Sequence, residues 1–121
     1  MKLNHVNLPV DNVAECVTFF TQYFDFKCID VKGDNMLAIL KGEDDFTLVL
    51  MSAAFNKNGN LVYPDAFHIG FLFDEKDKVN QVYDRLVQRG FPLDQKPGNL
   101  RGGYGFYFNA PGNILTEVSY L

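Results

Sequence analysis

Two short stretches echo one another, and each carries one of the chain's only two histidines. The first is Leu3 to Val10, Leu-Asn-His-Val-Asn-Leu-Pro-Val; the second is Ala66 to Asp74, Ala-Phe-His-Ile-Gly-Phe-Leu-Phe-Asp. Successive side chains of a strand point to opposite faces, so Val6, Leu8 and Val10 share one face of the first stretch while His5 and Asn7 share the other. In the second, Phe67, Ile69, Phe71 and Phe73 share one face, and His68, Gly70 and Leu72 the other. Each strand thus has an oily side and a histidine side, at matching places.

The match continues downstream of each strand. Asn12 precedes Glu15 by three residues, a capping-box spacing, and Val13, Cys16, Val17, Phe20 and Phe24 recur at helical spacing, ending near Phe24 or Asp25. Phe26 to Val31, Met36 to Lys41 and Phe46 to Met51 read as short strands separated by polar turns, Lys32-Gly33-Asp34-Asn35 and Gly42-Glu43-Asp44-Asp45. Ser52 to Asp65 has no periodicity and reads as a linker. After the second histidine strand, Asp74 reads as a helix cap, and Val79, Val82, Tyr83, Leu86 and Val87 as a helical stripe that Gly90 stops. Phe91 to Asp94, Tyr104 to Asn109 and Ile114 to Tyr120 complete the set as strands. The order strand, helix, three strands occurs twice, an internal repeat of about 60 residues. Its halves fall near residues 1–52 and 66–121. Each is too small to bury both faces of its sheet, so the halves are expected to pair, within one chain or between two.

With 121 residues, the chain is expected to form one domain. Its 47% hydrophobic and 21% charged residues fit a globular protein. No apolar run approaches the ~20 residues that span a bilayer, and the N-terminus turns polar too soon for a signal peptide. A cytoplasmic location is the resulting expectation, with no membrane partner. A net charge of −4 argues against a nucleic-acid surface, which leaves small molecules or proteins as partners. Cys16 and Cys28 are too few for a disulfide scaffold. Cys16 falls on the helical stripe and reads as buried filler, whereas a reactive thiol stays open for Cys28.

In the last strand, Ile114, Thr116, Val118 and Tyr120 share one face, and Leu115, Glu117 and Ser119 the other. If the oily faces pack under the helices, His5, His68 and Glu117 all project to the opposite, concave side. Two imidazoles and a carboxylate describe a facial metal triad that leaves positions open for water or substrate, and Zn²⁺ also accepts such ligands. The alternative on strand alternation alone is that Glu117 is a solvated edge charge and the histidines merely pack. The run Gly102-Gly103-Tyr104-Gly105 lacks the flanking strand and helix of a nucleotide-binding loop. No Ser or Cys nucleophile has a histidine partner identifiable from spacing.

Asn4-His5-Val6, Phe67-His68-Ile69-Gly70-Phe71, and Tyr107-Phe108-Asn109-Ala110-Pro111-Gly112 with Glu117 beyond it together resemble the vicinal oxygen chelate superfamily over nearly the whole chain. That superfamily includes glyoxalase I, extradiol ring-cleaving dioxygenases, fosfomycin-resistance transferases and metal-free bleomycin-binding proteins. Its usual closing motif is Asp-Pro-Asp-Gly, with a metal-binding Glu six residues after the proline. Pro111 and Glu117 keep that spacing, while Ala110 replaces the Asp and Gly112 directly follows the proline. The resemblance implies an α+β fold of two βαβββ modules whose mixed sheet curls around an open cavity, and a homodimer. It implies one divalent metal, Zn, Ni, Mn or Fe, held by His5, His68 and Glu117. Glyoxalase I carries a second Glu on the fourth strand of the first half, but Phe46 to Met51 contains no acid. Thr47, Val49 and Met51 would face the cavity there, with Thr47 a candidate substrate contact.

In this superfamily the metal is a Lewis acid that chelates two neighbouring substrate oxygens and stabilises the anion that develops. Glu117 and Tyr107 are the candidate catalytic residues. Tyr107, aligned with a cavity tyrosine in some relatives, would donate a hydrogen bond to a substrate oxygen, or serve as a core or rim aromatic. Asn7, on the face of His5, would orient substrate or a metal-bound water. The Gly-rich stretch Lys96 to Gly103 carries Arg101 and either closes over the site or is a solvated loop whose arginine touches nothing. The expected function is a glyoxalase-like lyase or isomerase acting on a small oxygenated metabolite. The alternatives are an extradiol dioxygenase or fosfomycin-type thiol transferase, and a metal-free small-molecule (antibiotic) binding protein.

Overall fold

A computed structural model describes residues 1–57 and 63–121. The chain divides into two compact units, Met1–Val62 and Tyr63–Leu121. The first contains β1 (His5–Val10), α1 (Val13–Tyr23), β2 (Lys27–Lys32), β3 (Leu37–Lys41) and β4 (Thr47–Ser52). The second contains β5 (His68–Phe73), α2 (Lys76–Gln88), β6 (Gly98–Leu100), β7 (Gly103–Ala110) and β8 (Ile114–Tyr120). Each unit is a βαβββ module, and each forms its own four-stranded mixed sheet, in the orders β1-β4-β3-β2 and β5-β8-β7-β6. The first strand of each unit pairs parallel with its last, and the remaining ladders are antiparallel.

In the first unit Asn12 caps α1, its Oδ1 accepting the Glu15 amide at 3.0 Å, which satisfies one of the amide donors that a helix start leaves open. The buried stripe of α1 is Val13, Cys16, Phe19, Phe20 and Tyr23. Val17 and Phe24, expected on it from periodicity, lie half-buried at its margins. This stripe faces a sheet that buries Leu8 and Val10 of β1, Ala38 and Leu40 of β3, and Leu48 and Leu50 of β4. Alternation leaves His5 and Asn7 exposed on the other face, as the sequence pattern requires. The expected linker contains a short 3-10 turn, Ala53–Phe55, capped by the Ser52 hydroxyl. Its residues Asn58, Gly59 and Asn60 lie outside the described residues.

In the second unit α2 buries Val79, Val82 and Leu86, and Tyr83 sets its ring edge-on to Phe106 of β7 at 5.4 Å. Val87 is about half exposed, because it lies past the edge of that stripe. Asp74 is not the cap: Glu75 occupies that position, without a side-chain cap bond. Asp74 instead accepts from Lys78 Nζ at 2.8 Å, one turn into the helix, a pair that lowers its carboxyl pKa, chiefly through the hydrogen bond. Gly90 ends α2 at φ +82°, the left-handed backbone that glycine adopts without penalty. Phe91 to Asp94 is not a strand; Pro92 removes an amide from that stretch, and the edge strand forms later, at Gly98–Leu100, inside the stretch read as a loop. The β6–β7 hairpin turns through Arg101 and Gly102, both at positive φ.

Candidate active site

The site is set by strand register. In the second unit His68 pairs with Leu115, Gly70 with Glu117, and Leu72 with Ser119 across the parallel ladder. Tyr107 pairs with Glu117 and Asn109 with Leu115 across the antiparallel one. Paired residues of a sheet project to the same side, so His68, Tyr107, Asn109, Leu115, Glu117 and Ser119 share one face. Thr116 and Val118 alternate to the other, fully buried beneath α2.

Glu117 is buried, at 6% exposure, which rules out the solvated-edge alternative. A buried carboxylate needs donors, and three converge on it. Tyr107 OH donates to Oε1 at 2.6 Å, Arg101 Nη2 donates to the same oxygen as a salt bridge, and Ser119 Oγ donates to Oε2 at 3.3 Å. The bond to Glu117, with burial and the carboxylate's charge, raises the Tyr107 phenol above the usual tyrosine value, while Arg101 opposes the shift. Tyr107 also meets the His68 ring edge-on at 5.6 Å. Position 70 is a glycine, and a Cβ there would stand 3.3 Å from Glu117 Oε2.

His68 Nδ1 lies 3.0 Å from the Ala66 carbonyl. A carbonyl only accepts, so the proton resides on Nδ1 and the Nε2 lone pair is left for a ligand or a proton. His5 repeats the arrangement: its Nδ1 donates to Asn4 Oδ1 at 2.7 Å. Fixing one ring nitrogen in this way is how proteins orient an imidazole for metal through the other. An imidazole held in this way and a buried carboxylate are each of the ligand types that divalent cations take. Among the described residues, no three His, Cys, Asp or Glu side chains stand together as a group that could hold a metal ion.

Asn7 and Thr47 share the face of His5 in the first unit, where His5 pairs with Thr47 and Asn7 with Val49. Thr47 Oγ1 accepts from Lys41 Nζ at 2.7 Å, and Asn7 Nδ2 points at Met51 Sδ. Of the residues expected at the site, the second unit therefore brings together His68, Arg101, Tyr107 and Glu117. Alongside them lies a cavity of about 280 Å³ lined by Pro92, Asp94, Gln95, Tyr107, Asn109 and Leu115, with Phe108 completing the wall. Sequence patterning misses Asp94, Gln95 and the role of Asn109. Only Asn109 has a visible signal, two residues beyond Tyr107 on the same alternating face.

Two βαβββ units with polar residues on the sheet face opposite each helix define a glyoxalase-like α+β protein. The chain belongs to the Glyoxalase/Bleomycin resistance protein/Dioxygenase superfamily, whose family model matches residues 2–118. It is similar to a possible glyoxalase from Bacillus cereus at 32% identity, with 98% of each chain covered and a TM-score of 0.86. It shares its fold with a lactoylglutathione lyase from Agrobacterium tumefaciens at 19% identity, covering 98% of this chain and 92% of that one, TM-score 0.76. A glyoxylase/bleomycin resistance protein/dioxygenase domain from Frankia sp. EAN1pec matches at 19% identity, covering 99% and 91%, TM-score 0.81. No curated protein sequence matches the chain significantly. Among the described residues, no helix is long and apolar enough to cross a membrane.

Proposed function

We propose that this protein is a metal-dependent enzyme that acts on a small oxygenated molecule as a lyase or isomerase, with His5, His68 and Glu117 as ligands to one divalent cation. The observation that carries the reading is the donor chemistry: both histidines spend Nδ1 on an oxygen acceptor and keep Nε2, and Glu117 is a buried carboxylate on the face of His68. With two of these donors in the second unit, His5 is the candidate third. When bound, the cation supplies a Lewis acid for two neighbouring substrate oxygens. The protein's own groups do the rest. Tyr107 keeps its proton to high pH and offers a hydroxyl at the Glu117 carboxylate. Asn109 and Gln95 offer amides to a ligand seated in the adjoining cavity, and Leu115 covers its apolar part. Asn7 and Thr47 are the corresponding polar contacts offered by the first unit.

Elemental analysis of tag-free protein beside His5→Ala, His68→Ala and Glu117→Ala tests the reading. About one Zn, Ni, Mn or Fe per chain, lost in each variant, is the expected result. A wild type that holds no metal and takes up none at micromolar concentrations would overturn it in favour of metal-free ligand binding. Oxygen uptake with a catechol in the Fe²⁺ or Mn²⁺ form would instead assign a ring-cleaving dioxygenase.

A further inference from the structure

Glu117 lies under a cation already, the guanidinium of Arg101. We propose that Arg101 is a latch that competes with the divalent cation for Glu117, so that the protein exchanges an internal counter-ion for a metal and Arg101 sets the affinity of the site. The inference rests on the metal-binding reading above.

The two partners differ in what they can do. The Glu117 side chain is 8% exposed and comes from β8, a strand hydrogen-bonded on both sides; it stays where the sheet holds it. The Arg101 side chain is 64% exposed and springs from a two-residue hairpin turn between β6 and β7, so it can withdraw into water without uncovering a core. A guanidinium and a divalent cation on one carboxylate oxygen repel each other, and the exposed partner is the one to leave. Arg101 sits at φ +46°, the left-handed backbone that the first position of a two-residue hairpin turn takes, which fixes where its side chain starts. Gly102 comes next, at φ +78°. Tyr107 and Ser119 continue to donate to Glu117 when Arg101 leaves, so the carboxylate keeps its orientation in either state.

Arg101→Ala should therefore bind Mn²⁺ and Zn²⁺ more tightly than wild type, by about tenfold in Kd, equivalent to about 1.4 kcal/mol. Arg101→Lys, which keeps the charge without the planar fork, should fall between them. Lys96→Ala, which removes a positive charge two residues before β6 that forms no ion pair with Glu117, should change Kd by less than about twofold, separating a latch from a change in net charge alone. Equilibrium dialysis of the full chain with each metal, with far-ultraviolet circular dichroism to establish folding, reads all four proteins. A purely structural role for Arg101 predicts weaker binding on its removal, the opposite sign. Equal or weaker binding by Arg101→Ala, or an equal gain in Lys96→Ala, overturns the latch alone. If none of the proteins takes up either metal, the metal-binding reading falls and the latch with it.

Discussion

Gly105 is where the site and the stability of its sheet are most directly coupled. It lies in β7 opposite Ser119, two residues before Tyr107 and on the same face. A Cβ there would collide with the Val118 carbonyl and stand 2.9 Å from both Cα and Cβ of Ser119. Two of these three obstacles are main-chain atoms, so no rotamer change relieves the contact and β8 must shift. Overpacking of this kind costs typically 1–3 kcal/mol, and backbone obstacles place it near the upper end, about 3 kcal/mol. Alanine recovers roughly 0.5–1 kcal/mol of chain entropy relative to glycine, leaving a net loss of about 2 kcal/mol. At about 4 °C per kcal/mol for a chain of this size, Gly105→Ala should melt about 8 °C below wild type. Gly70→Ala is the control: its Cβ meets only the side chain of Glu117, at 3.3 Å from Oε2, so its midpoint should stay within about 4 °C of wild type. Thermal unfolding tracked by circular dichroism measures both. A Gly105→Ala midpoint within about 2 °C of wild type, or an equal fall in Gly70→Ala, refutes the steric argument.

Two further outcomes concern titrating groups. Burial, and after it Glu15 and Asp11, pushes the Cys16 thiol up to about 12, while Cys28 is exposed. A disulfide reagent at pH 8 should therefore modify one thiol rapidly in native protein and the second only on unfolding; two rapid thiols would contradict this. Lys78 lowers the pKa of Asp74, so this pair stabilises the fold above the unfolded carboxylate pKa of about 3.9, and the contribution is lost as pH falls through the lower folded value. Carbon NMR should show Asp74 titrating below that reference, and Lys78→Ala should return it to the ordinary range; an unchanged midpoint in Lys78→Ala would rule out the pairing.

Local periodicity carries much of this architecture. Residues 114–120 alone predict both faces of β8 and the side from which Glu117 projects, because a strand's alternation is a local property. Asn12 and Gly90 mark helix ends because capping and left-handed backbone are local as well. β6 escapes because three residues, Gly98, Asn99 and Leu100, are too few to show alternation, and because they join the sheet only through β7. Asp74 departs from its expected role because a carboxylate next to a helix start can serve as cap or as ion-pair partner, and the choice depends on Lys78. The partner of Arg101 lies sixteen residues away on β8, and no local pattern announces such a pair. The cavity wall at Asp94 and Gln95 is hidden for the same reason: irregular chain has no period to read.

The repeat also shows where the two units differ on a common frame. Aligning His5 with His68 matches the two parallel ladders, so that Asn7 corresponds to Gly70, Val49 to Glu117 and Met51 to Ser119. The antiparallel ladders extend the match, with Ile39 corresponding to Tyr107. The first unit therefore has the same frame with valine and isoleucine where the second has a buried acid and its phenol donor. A buried carboxylate is unfavourable unless donors surround it, and an aliphatic residue at that place satisfies the same sheet without them, as Val49 does. The second unit's Arg101, Tyr107 and Ser119 thus answer a need that the fold alone does not create. Donors from the β6–β7 turn, from β7 and from β8 itself hold one buried acid that the first unit's frame does without.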